Sequence, residues 1–114
     1  MDRVSCKPDF NVLLYPGALT DKQDASRLAP ELRISAQTPP TFIAVAADDK
    51  GCADCSVRYW QLLKEAGVKS ELHVYATGGH GFGIRESAGA ISTWPARCLE
   101  WMRAMAILPA AGAQ

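Results

Sequence analysis

The sequence predicts an α/β domain: a short parallel sheet of about three strands with flanking helices. Three short segments rich in apolar residues indicate strands, and the second of them shows no polar alternation, which is typical of a buried strand. Stretches with helical spacing separate and follow them, and a strand–helix–strand succession builds parallel sheets through right-handed crossovers. The chain has 114 residues, 48% of them hydrophobic, which is enough for one apolar core. We expect a single domain over residues 1–108 and a flexible tail over 109–114.

Three segments are predicted to form the strands. The first is Phe10–Tyr15, an apolar run closed by the turn-forming pair Pro16 and Gly17. The second, Thr41–Ala47, is apolar along its length, as expected for a strand that is covered on both faces. The third is Ser70–Tyr75, which ends before a glycine-rich loop.

Two helices are predicted from apolar residues at helical spacing. The first covers Ala53–Ala66, and Gly67 stands where its end is expected. The second has Pro95 near its start, a position that proline favours. A further helix is expected around Lys22–Leu32. The apolar faces of the first two consist of Val57, Trp60 and Leu63, and of Trp94, Cys98, Trp101 and Met105.

Charge and hydropathy argue against nucleic acid and membrane as partners. Twelve basic and twelve acidic side chains give a formal net charge of zero, so the chain lacks the basic character that binds nucleic acid. No apolar run reaches the roughly eighteen residues that cross a bilayer, so no membrane partner is expected. The segment Met1–Asp9 carries four charges and no apolar core, and no secretory signal is visible there.

The cysteines allow a metal or redox interpretation. Cys52 and Cys55 form a C-x-x-C pair, but the second half that makes a zinc motif persuasive is absent. The nearby carboxylates of Asp48, Asp49 and Asp54 are expected to raise thiol pKa values, which opposes redox activity. The favoured interpretation is reduced, partly buried thiols, with no metal site and no cofactor. The four cysteines are Cys6, Cys52, Cys55 and Cys98.

Polar side chains follow two of the predicted strands. Asp48 and Asp49 come directly after the second strand, and His80 lies a few residues past the third. In a parallel sheet functional groups gather beyond the carboxyl ends of the strands, so these residues should share one rim. An acid that holds one ring nitrogen of a histidine is the orienting half of a nucleophile–base–acid relay. The plainer alternative is a turn-forming aspartate pair and an exposed histidine.

A series of short motifs gives the chain a recognisable order. They are Pro8–Phe10, Leu13–Gly17, Pro39–Phe42, Ala46–Asp49, Ser56–Trp60, Ala66–Val68, Glu71–Tyr75, Gly78–Gly83, Trp94–Pro95 and Cys98–Trp101. In this order they resemble the C-terminal half of an α/β-hydrolase esterase, of the acetylxylan-esterase-like or feruloyl-esterase-like group in the carboxylesterase superfamily. The resemblance implies a partial α/β-hydrolase fold that corresponds to the last strands of a larger sheet.

The resemblance also implies an activity and roles for individual residues. The activity is hydrolysis of short acyl or acetyl esters, acetylated xylan among them, by serine acyl transfer. His80 would be the general base, and one of the two aspartates would orient it. Counting from the start of the strand favours Asp49, and counting back from Ser56 favours Asp48; we prefer Asp49. Phe82 is expected to line the substrate pocket.

The sequence departs from these esterases at the nucleophile. None of its seven serines stands in a Gly-x-Ser-x-Gly elbow, and the glycine-rich oxyanion-hole turn is missing as well. Ser5 and Ser56 are weak alternatives, and a partner subunit could supply the serine instead. Without a nucleophile most of the rate enhancement is lost, so a catalytically silent fragment or interaction module is the alternative function.

The first strand is expected to form an exposed edge of the sheet. In a complete hydrolase another strand would pair with Phe10–Tyr15, and here its N–H and C=O groups would be left without partners. Apolar edges of this kind are relieved by pairing with another chain. We therefore expect a homodimer or a higher oligomer.

Overall fold

A computed structural model of the chain describes residues 9–17, 19–24, 26–30, 32–81 and 86–106. The strands are β1 (Asn11–Leu14), β2 (Thr41–Ala46) and β3 (Ser70–Tyr75), and the helices are α1 (Lys50–Glu65) and α2 (Trp94–Ala104). A 3₁₀ segment, Glu86–Thr93, leads into α2 and is kinked at Gly89. None of the described helices combines the length and apolar character that a bilayer crossing requires.

The three strands form one parallel sheet in the order β1-β2-β3. Thr41 at the start of β2 pairs with Asn11 on one side and Ser70 on the other, so the three strands begin in register. Their carboxyl ends therefore lie along one edge of the sheet, where Ala46 pairs with Tyr75. The predicted α/β fold class, a short parallel sheet of three strands with flanking helices, is confirmed.

Strand β2 lies at the centre of the core and is fully buried along its length. Successive side chains of a strand point to opposite faces, so Phe42 faces one layer and Ile43 the other. Phe42, Ala44 and Ala46 pack with Ile91, Cys98 and Trp101, and Ile43 packs with Cys55, Tyr59 and Leu63. One helix therefore covers each face of the sheet, and each fully buried large apolar side chain contributes about 1.5–3 kcal/mol.

Helix α1 begins three residues earlier than the spacing predicts. Asp49 is its N-cap residue, and the Asp49 carbonyl accepts the first helical hydrogen bond from the Ala53 N–H at 2.8 Å. The helix ends at Glu65, and Gly67 follows with a φ of 82°, as predicted for a helix stop. Val57, predicted on the apolar face, lies exposed at its margin instead, and Tyr59 is buried.

The helix predicted around Lys22–Leu32 is wrong for the described part of that segment. The backbone forms an isolated antiparallel bridge between Thr20 and Leu28. The Gln23 N–H donates to the Asp21 carboxylate at 2.8 Å, so a short acidic side chain takes a backbone donor that a helix would need. Local side-chain bonds of this type compete with helix formation, and the segment is an irregular connection between β1 and β2.

Candidate functional site

The candidate site lies at the carboxyl-terminal edge of the sheet. Asp48 and Asp49 follow β2 directly and lead into α1, and His80 follows β3 in a glycine-rich loop. Parallel pairing places these two loops side by side, because the Ala47 N–H after β2 donates to the Tyr75 carbonyl at the end of β3. The sheet therefore brings together residues that lie thirty-one positions apart in the chain.

Asp49 and His80 are in direct contact. A carboxylate oxygen of Asp49, Oδ2, lies 2.6 Å from Nδ1 of His80. The Asp49 side chain is 15% exposed and that of His80 is 59% exposed, so the acid is enclosed and the imidazole reaches solvent. An ionised carboxylate accepts a hydrogen bond from the Nδ1–H group, so the proton of the neutral ring stays on Nδ1 and Nε2 keeps its lone pair. That is the tautomer that a general base needs.

The Asp49 carboxylate makes this contact instead of a helix cap. Asp49 is the N-cap residue of α1, where an aspartate side chain commonly accepts a backbone N–H of the first turn. Its side chain forms no such capping bond. The carboxylate therefore binds the imidazole at the expense of the ordinary helix-start role, which argues against the plain turn-former interpretation.

Asp48 contacts the same loop but through the backbone. Its Oδ1 accepts a hydrogen bond from the Gly79 N–H at 2.8 Å, and its Oδ2 lies 3.4 Å from the Gly78 nitrogen. Of the two aspartates that the sequence left open, Asp49 is the one that touches the imidazole of His80. Asp48 instead fixes the two residues that precede the histidine.

Gly78 lets the loop turn close to the core. Its φ is 142°, a region that side chains avoid, and a Cβ atom there would lie 2.7 Å from Cγ2 of the buried Ile91. Gly79 has a φ of 66° but open space around its Cα. The close approach at Gly78 is thus a steric requirement for the path of the chain towards His80.

Tyr15 completes the surroundings of the imidazole. Its ring centroid lies 4.5 Å from that of His80 at an interplanar angle of 60°, an edge-to-face arrangement. Tyr15 follows β1 with a φ of 37°, and its N–H donates to the Ala44 carbonyl of β2 at 2.9 Å. All three strands thus contribute to the site. Sequence reasoning missed Tyr15, although its place at the carboxyl end of a strand was the available signal.

Cys52 lies beside the same pair on the first turn of α1. Its Sγ is 3.6 Å from Nδ1 of His80. Burial raises the pKa of the Cys52 thiol to about 11, and the hydrogen bond and charge of Asp49 add to the effect. The expectation that carboxylates oppose thiolate formation therefore holds for Asp49, but burial is the larger cause. Cys52 stays a thiol at neutral pH, which makes it a poor nucleophile.

The predicted C-x-x-C pair does not converge on one point. The Cys55 thiol donates to the Pro16 carbonyl at 3.4 Å, away from His80, and Cys98 lies in the other core layer. Cys52, Cys55 and Cys98 are all free thiols. The zinc and redox interpretations both relied on Cys52 together with Cys55, and these two thiols contact different partners.

The other residues that the sequence analysis singled out, as far as the structure describes them, do not adjoin Asp49 and His80. Phe82, Ser5 and Cys6 lie outside the described residues. Ser56, a weak candidate nucleophile, is fully buried in α1, so a substrate does not reach its hydroxyl. His73 lies within β3, the strand predicted over Ser70–Tyr75.

The chain is similar in fold to several solved structures. No protein-family model and no curated protein matches it. An acetyl ester-xyloside bifunctional hydrolase from Caldicellulosiruptor lactoaceticus superposes with a TM-score of 0.77 at 27% identity, over 93% of this chain and 46% of that one. The chain has part of the α/β-hydrolase fold.

Two further solved structures each match this chain over part of their length. A sugar hydrolase from Lactococcus lactis gives a TM-score of 0.66 at 24% identity, over 88% of this chain and 49% of that one. The carboxylesterase Cest-2923 from Lactobacillus plantarum gives 0.68 at 18% identity, over 92% and 46%. The α/β-hydrolase part seen here spans about half the length of each neighbour. At 24% and 18% identity these two neighbours show the shared fold.

Proposed function

We propose that this chain supplies the general base and its orienting acid to a carboxylic ester hydrolase. His80 is the base, Asp49 is the acid, and the substrates are short acyl esters, acetyl esters of xylan among them. One observation carries the proposal: an enclosed carboxylate lies 2.6 Å from Nδ1 of an exposed imidazole at the carboxyl-terminal edge of a parallel sheet. No cofactor takes part in this chemistry.

The proposed reaction is a two-step acyl transfer. Nε2 of His80 takes the hydroxyl proton of a serine as its oxygen attacks the ester carbonyl, and then gives that proton to the departing alcohol. In the second step the same nitrogen takes a proton from the water that attacks the acyl-serine, and returns it to the serine oxygen as the acid leaves. The negative charge of Asp49 stabilises the imidazolium that forms each time, and enclosure of the carboxylate strengthens that attraction.

Two neighbours support the pair without touching the reacting atoms. Asp48 is a positioning residue, because its bonds to the Gly78 and Gly79 nitrogens fix the backbone that carries His80. The ring of Tyr15 packs edge-to-face against the imidazole and limits its rotation. Phe82 is proposed as a substrate contact because it follows His80 by two positions in the sequence.

The serine is the part of the proposal that needs direct identification. The sequence has no Gly-x-Ser-x-Gly motif, and the hydroxyl of Ser56 is enclosed by α1 and the core. A partner subunit is the proposed source, and Ser5 is the alternative within this sequence. In either case the hydroxyl must reach Nε2, and within the described part of the chain no hydrogen bond engages that nitrogen.

The test combines turnover with labelling. Purified protein is assayed with p-nitrophenyl acetate and treated with a fluorophosphonate, which forms a stable adduct with an activated serine that peptide mass mapping then identifies. We expect turnover above buffer and a labelled serine, with both lost in His80→Gln and retained in His73→Gln. The labelling is needed because an imidazole can attack this activated ester unaided. No turnover and no adduct would overturn the proposal.

The absence of a serine elbow favours one second function. A chain with this fold and no nucleophile would serve as a catalytically silent module that binds another protein. It predicts no fluorophosphonate adduct and no effect of His80→Gln on any property except local structure.

We also propose that two copies of the chain associate through β1. This strand pairs only with β2 among the described strands, and all four of its residues are partly exposed. An unpaired edge with apolar side chains is an association site for a like strand. Light scattering at micromolar concentration is expected to give twice the 12.3 kDa chain mass, and a monomer would contradict this proposal.

A further inference from the structure

Three side chains of different chemistry converge at the candidate site. The Asp49 carboxylate, the Cys52 sulfur and the His80 imidazole each offer one ligand atom, and these atoms all lie within 4.8 Å of one another. Cys52 Sγ is 3.6 Å and Asp49 Oδ2 is 2.6 Å from the same nitrogen, Nδ1 of His80. This cluster contains the sulfur, nitrogen and oxygen donors that zinc takes in proteins.

Two local features bring the donors together. Asp49 occupies the N-cap position of α1 and Cys52 stands three positions later, on the first turn, and side chains at this spacing lie on the same side of a helix. The glycine loop after β3 then places His80 over both of them. The convergence therefore comes from rigid elements, since a helix start and a loop fixed by Asp48 hold the three side chains.

We propose that Asp49, Cys52 and His80 form a binding site for zinc or a similar divalent transition metal, and that the bound metal blocks His80 as a base. The second half of the proposal rests on the proposed function. Three protein ligands leave one coordination position for water or another donor. The thiolate favours a soft or borderline metal over Mg²⁺ or Ca²⁺, which prefer oxygen donors.

The two distances from His80 Nδ1 fit tetrahedral coordination after a small change. Metal–ligand bonds of about 2.0 to 2.3 Å put neighbouring ligand atoms about 3.4 to 3.6 Å apart. The 3.6 Å between Cys52 Sγ and His80 Nδ1 already has this length. The contact between Asp49 and His80 must open by about 0.8 Å, which a rotation of the carboxylate supplies once the proton between them has left.

Metal binding rearranges the protons of the site. The metal takes the lone pair on Nδ1, so the ring proton that Nδ1 shares with Asp49 moves to Nε2. The Cys52 thiol releases its proton to solvent as the metal–sulfur bond forms. Two positive charges enter and one proton leaves, so the net charge of the site, metal included, changes from −1 to zero. Nε2 then carries a hydrogen and no longer accepts a serine proton, which stops the proposed hydrolysis.

The first experiment measures binding without reference to activity. Cobalt(II) is titrated into a Cys6→Ser protein, absorption is recorded, and zinc is then added as competitor. We expect a thiolate-to-cobalt charge-transfer band that zinc abolishes. Cys52→Ser should remove the band, and both Cys52→Ser and the exposed His80→Gln should weaken zinc binding at least about tenfold. Cys55→Ala and Asp54→Asn, which alter other donors of α1, are the matched controls and should bind as the parent does.

Two results overturn the metal site. One is zinc binding of equal strength in the parent and in Cys52→Ser. The other is a cobalt complex without the charge-transfer band. If Cys52→Ser fails to fold by circular dichroism, the surface variant His80→Gln decides instead, because loss of a nitrogen ligand must also weaken binding.

The second experiment separates the site from the proposed function. Nitrogen-15 spectra of the imidazole are expected to show the proton of His80 on Nδ1 without metal and on Nε2 with zinc. Zinc should inhibit p-nitrophenyl acetate hydrolysis in the parent and at least about tenfold less well in Cys52→Ser. Zinc binding with the tautomer change but no turnover would uphold the metal site and refute the hydrolase. Turnover that zinc does not inhibit would refute the metal proposal and uphold the hydrolase.

Discussion

Strand β3 and the loop that follows it each hold a histidine bonded to a carboxylate, with opposite exposure. In the strand, Nε2 of His73 lies 2.7 Å from Glu71, and in the loop, Nδ1 of His80 lies 2.6 Å from Asp49. The His73 side chain is 27% exposed and its acid 44%, whereas His80 is 59% exposed and its acid 15%. The strand pair turns its acid to solvent, and the loop pair turns its base to solvent.

The packing around the two rings explains this difference. His73 lies between Phe42 and Tyr75, with ring centroids 5.2 Å and 6.3 Å away, so the imidazole is part of the apolar layer under α2. Among the aromatic rings that the structure describes, His80 packs against Tyr15, and a loop rather than a strand holds it. A short distance between histidine and acid is therefore no sign of catalysis by itself. The exposed base with an enclosed acid is the arrangement that can act on a substrate.

Each pair also has a neighbouring thiol. Burial, and then the charge of Glu71, raises the pKa of Cys98, as burial and Asp49 raise that of Cys52. Cys98 is buried in the core and Cys52 is partly exposed. The two regions thus share a composition of acid, imidazole and thiol, and they differ in access from solvent.

Replacement of the two histidines gives the largest expected contrast. His80→Gln removes the proposed base and should lower kcat/KM for p-nitrophenyl acetate about a thousandfold. His73→Gln should leave kcat/KM within about twofold, because a structural hydrogen bond contributes about 1 kcal/mol to stability and nothing to catalysis. Steady-state kinetics and thermal melts of both variants check this. Equal losses of activity would remove the distinction between the two pairs.

Replacement of the two acids should give a smaller contrast of the same kind. Asp49→Asn keeps the shape but no longer stabilises the imidazolium, so kcat should fall about a hundredfold or more. Glu71→Gln should leave kcat unchanged. Nitrogen-15 spectra of the imidazole are the second readout, since only the Asp49 change should redistribute the His80 proton between Nδ1 and Nε2. An unchanged tautomer in Asp49→Asn would show that Asp49 does not orient the base.

Asp48→Asn tests whether Asp48 anchors the loop that carries His80. The amide oxygen still accepts one hydrogen bond, but the negative charge that attracts the Gly78 and Gly79 N–H groups is lost. We therefore expect kcat to fall about tenfold with KM little changed. Asp54→Asn, on the exposed side of α1, is the control and should be silent. Unchanged kinetics in Asp48→Asn would mean that the loop holds His80 without this aspartate.

Gly78→Ala should destabilise the loop region through steric conflict. The added methyl group meets Ile91 at 2.7 Å in a backbone conformation with φ of 142°, so we expect a loss of about 1–3 kcal/mol. Gly79→Ala meets open space and should cost less, because only its φ of 66° is unfavourable. Chemical denaturation of both variants ranks them. A larger loss at Gly79 would contradict the steric explanation.

Alkylation of the two thiols should show the smallest effect. Removal of the Asp49 charge lowers the pKa of Cys52, so a larger fraction is thiolate at pH 8, and iodoacetamide should react a fewfold faster in Asp49→Asn than in the parent. Cys98 should stay unreactive in Glu71→Gln because it remains buried. Mass spectrometry of timed samples gives both rates. A slower reaction of Cys52 in Asp49→Asn would reverse the assigned cause.

Sequence patterns predicted the elements that are determined by residues close together in the chain. The apolar run of β2 predicted a strand covered on both faces, and the glycine at position 67 predicted the end of α1, because both signals lie within one element. The irregular segment between β1 and β2 was wrongly predicted as helix. There, side chains such as Asp21 take backbone donors, and helical propensity has no packed face to support it.

The sequence by itself determined the order of strands and helices and the three residues Asp48, Asp49 and His80, since these stand at recognisable places after strands. Only the tertiary structure decided which aspartate meets the imidazole, that Tyr15 and Cys52 adjoin it, and that Ser56 is buried. These are contacts between segments that lie far apart along the chain, and their distances depend on the register of β2 against β3 and on one turn of loop backbone. The spacing of residues along the sequence predicts neither the strand register nor this loop conformation.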